Sequence, residues 1–234
     1  MKKIFSIALV ALSALVMVAC SGKQNAAEKP EGAAPEEMPA LVLAGHLAQY
    51  GYQVESPAAL IEAAEIIAST PVGELEEFEL EREEAAAAEC DKEDKGALRA
   101  EKLLEDARAL AGEDAALLAW ISRVEEKLAA VADQPRASRG AVRSVQHYDH
   151  VNGYSTDIYT ISFYGQSKAE VAVIGDGDTD LDLYVYDENG NFIASDADLT
   201  DRCYVSFYPR WTGPFRIKIV NRGGVYNNYC LLTN

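Results

Sequence analysis

Six of the seven aspartates between residues 176 and 198 alternate in two groups: Asp176, Asp178, Asp180 and Asp182, followed by Asp196 and Asp198. Clustered carboxylates are what a hard cation needs, since calcium takes about six to eight oxygen ligands. The spacing is not that of an EF-hand, because the central glycine and the closing glutamate are missing. The same residues carry a second reading. Asp176 and Asp178 would then shape turns through Asx hydrogen bonds, and Asp180 and Asp182 would tie loops or face water. On a strand, Asp180 and Asp182 point away from Leu181 and Leu183. A second set is aromatic. Tyr184 and Tyr186 share the face of Asp182, Tyr204 and Tyr208 stand opposite Val205 and Phe207, and Trp211 follows in a loop. An exposed aromatic patch can stack on sugars or hold an extended polypeptide. The competing expectation is that this face packs against the rest of the chain, or that tyrosines simply suit strands. His147 and His150 are three apart without an evident third ligand. GxSxG, HExxH and a cysteine-nucleophile signature are all absent, and His46, His147 and His150 are the only histidines. The chain therefore reads as a non-enzyme.

Composition separates the elements that must position these groups. Residues 149–234, with 135–148 as a basic linker before them, hold alternating apolar residues at Tyr159/Ile161/Phe163, Val171/Val173, Leu181/Leu183/Val185, Val205/Phe207 and Phe215/Ile217/Ile219, with a last run near Tyr229 to Thr233. Turn signals at Gly165, Gly175-Asp176-Gly177, Glu188-Asn189-Gly190-Asn191, Gly213-Pro214 and Gly223-Gly224 divide the runs. Seven or eight short strands predict an antiparallel, jelly-roll-like β-sandwich. Residues 40–134 read as a separate small helical domain, making the chain α+β with the two classes in different domains. Leu41 to Tyr50 is a short helix stopped at Gly51. Ser56-Pro57 caps a second helix through Leu60, Ile61, Ala64 and Ile67. A third puts Leu103, Ala107 and Leu110 on one face and closes at Gly112. A fourth starts at Asp114 and carries the stripe Leu117, Ile121, Val124, Leu128 and Val131. Residues 74–106 contain fourteen acids and five bases, and Glu74 to Glu84 is expected to be a solvated helix or partly disordered.

The first residues speak to address. Lys2 and Lys3 precede an apolar run from Ile4 to Ala19, the layout of a secretory signal over 1–19. The run ends Val16-Met17-Val18-Ala19-Cys20, which resembles the bacterial lipobox, with Met17 where leucine is usual. That resemblance implies lipidation of Cys20, palmitate among its acyl chains, a mature chain starting there, and a membrane anchor. Ser21, which is not acidic, points by the same resemblance to the outer membrane, on its periplasmic side or at the cell surface. Residues 20–39, with Pro30, Pro35 and Pro39, read as a flexible tether. The net charge of −17 excludes a nucleic-acid partner. Beyond Cys20 the cysteines are Cys90, Cys203 and Cys230, an odd number. Cys203 and Cys230 are candidates to pair and Cys90 is expected to stay free.

The segment Gly175-Asp176-Gly177-Asp178-Thr179-Asp180-Leu181-Asp182-Leu183-Tyr184-Val185-Tyr186-Asp187 resembles the central strand of bacterial pre-peptidase C-terminal domains. Cys203-Tyr204-Val205-Ser206-Phe207, Trp211-Thr212-Gly213-Pro214-Phe215, Asn221 and Tyr229 fit the same family. The resemblance covers about residues 145–234. It implies a sandwich of the collagen-binding-module type, not itself catalytic, usually appended to a secreted protease. It also implies kinship to modules that use calcium to stiffen the fold. No protease domain accompanies it here. The expectation is a lipid-anchored envelope protein with a binding or scaffolding sandwich, its ligand a polysaccharide or an extracellular or envelope protein. Alternatives are a purely structural envelope protein or an accessory factor of a separate secreted hydrolase.

Overall fold

The Ser56 side chain accepts from the Ala59 amide at 3.3 Å, and Pro57 opens the helix that follows, as the sequence predicts. In this computed structural model, which describes residues 37–70, 72–85, 98–132 and 144–234, four helices are present. They are α1 (Glu37–Gln53), α2 (Pro57–Ser69), α3 (Ala100–Ala111) and α4 (Ala115–Ala132). Gly51 does not stop α1. It lies inside the helix where a Cβ would meet Leu60 Cδ2 at 2.6 Å, so its role is to let α1 and α2 approach closely. On α3, Leu104 joins Leu103 and Ala107 in the core while Leu110 is exposed. Asp114 caps α4 by accepting from Ala116 and Leu117 at 2.9 and 3.2 Å.

The described residues also form ten strands: β1 (Gly73–Glu74), β2 (Glu79–Glu83), β3 (Val145–Val151), β4 (Thr156–Phe163), β5 (Ala169–Gly175), β6 (Leu181–Asp187), β7 (Phe192–Asp196), β8 (Arg202–Phe207), β9 (Gly213–Asn221) and β10 (Asn227–Thr233). They form two five-stranded sheets, β1-β3-β10-β5-β8 and β2-β4-β9-β6-β7. Among the described residues, only the β1–β3 pairing is parallel. Between them lies a core that includes Tyr159, Ile161, Val171, Val173, Leu183, Val185, Ile217, Ile219 and Leu231. The sandwich expectation holds.

Three expectations need correction. The helices are not a separate domain: the described helices and the sandwich fall in one compact unit. Alternate residues of β5 and β10, namely Ala172, Ile174, Cys230 and Leu232, point out of the sandwich into the core of the helices beside Leu60, Leu103 and Ile121. A sheet face this apolar has to be covered, and the helices cover it. Second, the acidic stretch Glu74–Glu84 is not helix or coil throughout. It supplies β1 to the edge of one sheet and β2 to the edge of the other. Leu75 is buried in the sandwich core, with Phe78 and Leu80 packed against it. The glutamates at 79, 81 and 83 alternate outward. Third, the supposed linker already contains part of β3, which starts at Val145.

The candidate pair Cys203 and Cys230 does not form a disulfide. Cys203 pairs opposite Val173 and Cys230 opposite Ile174, so β5 lies between them. Two strand spacings are about 10 Å, beyond the reach of a disulfide. Successive β5 residues also face opposite ways. Cys203 accordingly points into the sandwich, donating to the Leu181 carbonyl at 3.0 Å, while Cys230 points into the helical layer. Both are free, and burial pushes the Cys230 thiol up to about 12.

The strand from the acidic stretch also closes a polar interior. Arg82 on β2 donates to Asp149 on β3 and lies 3.5 Å from buried Asp157 on β4. Tyr229 donates to Asp157 at 2.7 Å. The hydroxyls of Tyr159 and Tyr229 are 2.6 Å apart, and Tyr159 also reaches Asp149 at 3.2 Å. The two carboxyls are driven in opposite directions. Burial raises Asp149, but His147, the His150 amide and Arg82 together outweigh it and hold the group far below the usual range. Burial raises Asp157, and Tyr229 and Arg82 offset only part of this.

Two outcomes are expected. A fragment beginning at residue 140 lacks the closing strands and the helical cover. It should bind a hydrophobic dye and lose cooperative thermal unfolding, whereas residues 34–234 should melt in one transition. The pH dependence of the melting temperature should bear both signs. A raised folded carboxyl disfavours the native state at neutral pH. Acidification through the raised value of Asp157, towards about 3.9, should therefore relieve a penalty. Below about 3.9, Asp149 loses its contribution as it is driven towards protonation. Asp157→Asn should flatten the upper limb and Asp149→Asn the lower one.

Candidate functional site

The strand directions sort the loops to two ends of the sandwich. The β4–β5, β6–β7 and β8–β9 connections gather at one end, and β3–β4, β5–β6, β7–β8 and β9–β10 at the other. Five of the six aspartates of the sequence pattern lie on loops or strand ends at the second end, with Asp182 on the adjoining first turn of β6, and most are already engaged. Asp176 is buried and accepts from the Asn228 amide and side chain at 3.2 and 3.1 Å. Asp182 is tied to Arg222 Nε at 2.6 Å and to the Tyr184 hydroxyl at 2.9 Å. Asp196 accepts from the Tyr204 amide at 2.9 Å and Asp198 from the Thr200 amide at 2.7 Å. Asp178 and Asp180 line a cleft. Among the described residues no group of three His, Cys, Asp or Glu side chains is placed to hold a metal ion. The calcium reading therefore does not fit this donor set, because backbone amides, Asn228 and Arg222 occupy oxygens a cation would need.

The five aromatics predicted as one patch lie in three places. Tyr204 is on the outer face of the helix-covered sheet, packs against the helical core and donates to Glu170. Its expected role at an open surface is corrected: the helical layer covers that face. Tyr184 and Tyr186 stand on the outer face of the other sheet, directly opposite Lys218 and Arg216. Tyr184 is held by Asp182 and Arg222, and the Tyr186 ring meets the exposed Phe192 edge-on at 6.0 Å. Tyr208 and Trp211 belong to the first loop end, where they are 54% and 41% exposed. Tyr164, in the neighbouring loop, is 60% exposed. The sequence reading missed it, although alternation from Ile161 and Phe163 already put it on the outside, one residue before a turn glycine.

This end is built to stay in place. Gln166 donates through its amide to Pro209 O and through its side chain to Arg210 O, both at 2.8 Å, and the Gly165 amide donates to Thr212 Oγ1 at 2.9 Å. Gly165 is required because a Cβ there would meet the Trp211 carbonyl carbon at 2.6 Å. The indole of Trp211 stacks over Phe215 (centroids 6.4 Å apart, planes at 23°) and donates to Glu188 at 3.2 Å. Its orientation is set from below and from the side, which leaves part of the ring open to solvent. Rings immobilised before binding lose little entropy when a flat apolar face stacks on them.

His147 lies 3.7 Å and His150 3.6 Å from Asp149. His147 also packs on Phe78 at 4.6 Å. Both histidines thus serve the strand closure, and neither faces the aromatic end. Cys20 and Cys90 lie outside the described residues, as do most of the signal and tether segments. No helix among the described residues is long and apolar enough to cross a membrane.

No protein-family model matches the chain, and no curated protein matches it. Among solved structures it is similar to the pre-peptidase C-terminal domain of a collagenase from Bacillus anthracis, at 13% identity over 43% of this chain and 98% of that one, with a TM-score of 0.34. It is also similar to PliG from Aeromonas hydrophila, a periplasmic inhibitor of g-type lysozyme (16% identity, 39% and 84% covered, TM-score 0.31). A third likeness is to the CBM22-1–GH10 modules of Clostridium thermocellum xylanase 10B (11% identity, 38% and 24% covered, TM-score 0.23).

Because protein donors already engage Asp176, Asp182, Asp196 and Asp198, EDTA should leave the melting temperature of residues 34–234 unchanged in calcium-containing buffer. A drop of several degrees would put a cation back into the fold.

Proposed function

We propose that this chain is a lipid-anchored, non-catalytic envelope protein that holds polysaccharide on the aromatic end of its sandwich. The lipobox-like segment ending at Cys20 supports the anchor, and Ser21 supports an outer-membrane address. The observation that carries the binding reading is the exposure of Tyr164, Tyr208 and Trp211 on two stitched loops, with the indole fixed over Phe215 and tied to Glu188. Flat rings offer stacking surface to the C–H faces of sugars. Gln166 and Arg210 in the same two loops, and Glu188 in the β6–β7 connection beside Trp211, offer hydroxyl partners. Exposed aromatic rings gathered at one loop end support a binding surface in a way that single scattered ones do not. Tyr186 and Phe192 extend the aromatic surface onto the adjoining sheet.

Co-sedimentation of residues 21–234 with insoluble polysaccharides, peptidoglycan and collagen tests the reading. Retention is expected on a polysaccharide matrix. Tyr208→Ala with Tyr164→Ala should weaken it by about 2 kcal/mol or more, while the melting temperature stays close to wild type, as for exposed substitutions. Retention on collagen alone would replace the sugar by a polypeptide. No retention on any matrix would favour a purely structural role in the envelope.

A further inference from the structure

Helix α1 keeps large apolar side chains on the side it turns to solvent. Inward it packs Met38 and Leu41, and otherwise the small residues Ala44, Gly45, Ala48 and Gly51. Gly45 sits so close to the sheet that a Cβ there would meet Ile174 Cγ2 at 2.7 Å. Outward, Leu43, Leu47, Tyr50 and Val54 follow one another at the 4, 3, 4 spacing of a single helix face. The Val54 amide donates to Tyr50 O at 3.1 Å, so the turn after α1 continues the stripe. Leu43, Tyr50 and Val54 are 52%, 55% and 50% exposed, with Leu47 partly buried at the stripe's edge. Glu37 is the only charged residue of α1. The neighbouring helices do the opposite: Glu101, Glu105 and Arg108 stand outward on α3, and Arg123, Glu125 and Glu126 on α4. We propose that this face of α1 rests on the lipid surface to which the chain is tied, with Leu43, Tyr50 and Val54 set among the headgroups and the first acyl carbons.

Area and chain length select lipid over a protein partner. Three half-exposed side chains and the edge of a fourth fall well short of the roughly 800 Å² per partner of a stable protein interface. A surface to which the chain is already attached needs far less, because the second contact is then intramolecular. Cys20 precedes the first residue of α1 by seventeen positions, a reach of at most about 60 Å for an extended chain. The contact presupposes the Cys20 anchor and adds to it a fixed orientation. Its chemistry suits an interface: leucine and valine enter the apolar boundary, and tyrosine keeps its hydroxyl at headgroup level. The stripe has no charge to strip of water. His46, three residues from Leu43 and four from Tyr50, is held below its ordinary value by partial burial and by Arg202, which favours the uncharged ring.

The test supplies the tether independently of Cys20. Residues 21–234 with an N-terminal hexahistidine are held by a nickel-chelating lipid on vesicles otherwise made of phosphatidylcholine, with or without bromine on the acyl chains to quench indoles that enter the bilayer. Tyr50→Trp adds an indole to the stripe, and the wild-type chain, with Trp120 and Trp211, supplies the background. The added emission should fall by at least half on brominated vesicles, and equally at low and high salt, since the stripe carries no lysine or arginine. Wild-type emission should change far less. Leu43→Glu with Val54→Glu, placed in the Tyr50→Trp chain, should abolish the quenching while the melting temperature stays close to that of the parent, as for exposed substitutions. If that chain fails to fold, Val54→Glu alone decides, and should cut the quenching at least twofold. Unquenched emission of Tyr50→Trp, or quenching that the glutamates leave unchanged, would overturn the contact. So would a concentration-dependent dimer that the same glutamates dissolve, which would give the stripe to a second copy of this chain. The mass of the chain recovered from membranes tests the anchor separately. An unmodified Cys20 would remove the anchor, and the contact with it, even where the tagged protein is quenched.

Discussion

The closing of the open side of the sandwich by residues 73–83, with Arg82 reaching Asp149 and Asp157, is the constraint that organises the fold. Two stacked sheets leave an open side wherever their edge strands do not meet, and backbone groups and core side chains there face water. Residues 73–83 close that side. They pair with β3 at one sheet edge, bury Leu75, cross over, and pair with β4 at the other. Arg82, whose side chain is 32% exposed, reaches in from the sheet edge to Asp149 and to buried Asp157, beside the buried hydroxyls of Tyr159 and Tyr229, where an unpaired carboxylate carries a large penalty. Removing Arg82 or Tyr229 leaves the buried Asp157 with fewer partners, which makes this polar cluster a test of register as well as a closure.

The helical layer follows from the same economy of surface. β5 and β10 are apolar on both faces, so the sheet containing them cannot face water on its outer side. The four helices cover it and share a core with Ala172, Ile174, Cys230 and Leu232. This decides which parts of the sandwich can serve as surface. Tyr204 is withdrawn beneath the helices, while Tyr184 and Tyr186 remain on the uncovered sheet and Tyr164, Tyr208 and Trp211 on the loop end. The C-terminal part of α1 reaches the opposite loop end and contributes Gln49 and Gln53 to the cleft there.

The aspartate pattern illustrates how one sequence feature supports unlike structures. Alternating carboxylates near turn glycines satisfy both a cation site and a set of Asx turns, and only the partners distinguish them. Here Asn228, Arg222 and the amides of Thr200 and Tyr204 take up the oxygens. Asp201 and Asn227, which shape this end most, drew no attention in the sequence because neither belongs to a motif. Their importance lies in being buried beside Gly177, a matter of long-range packing.

Local pattern was enough to read the sandwich strands from Tyr159 onward, the capped helix at Ser56-Pro57, the turn at Gly112 and the exposure of Trp211, because each depends on neighbours a few residues away. The segment Glu79-Leu80-Glu81-Arg82-Glu83 does alternate, yet its acidic character hides the strand. Glutamate has little preference for sheets, and what makes this one form is the unpaired edge of β4, more than seventy residues later. The fates of Cys203 and Cys230, Tyr204 and the aspartates were settled in the same way. Which face a strand residue presents is written in the alternation, but what covers that face is decided only when distant segments pack. Side chains of the same type then end up as core, as turn support or as open surface.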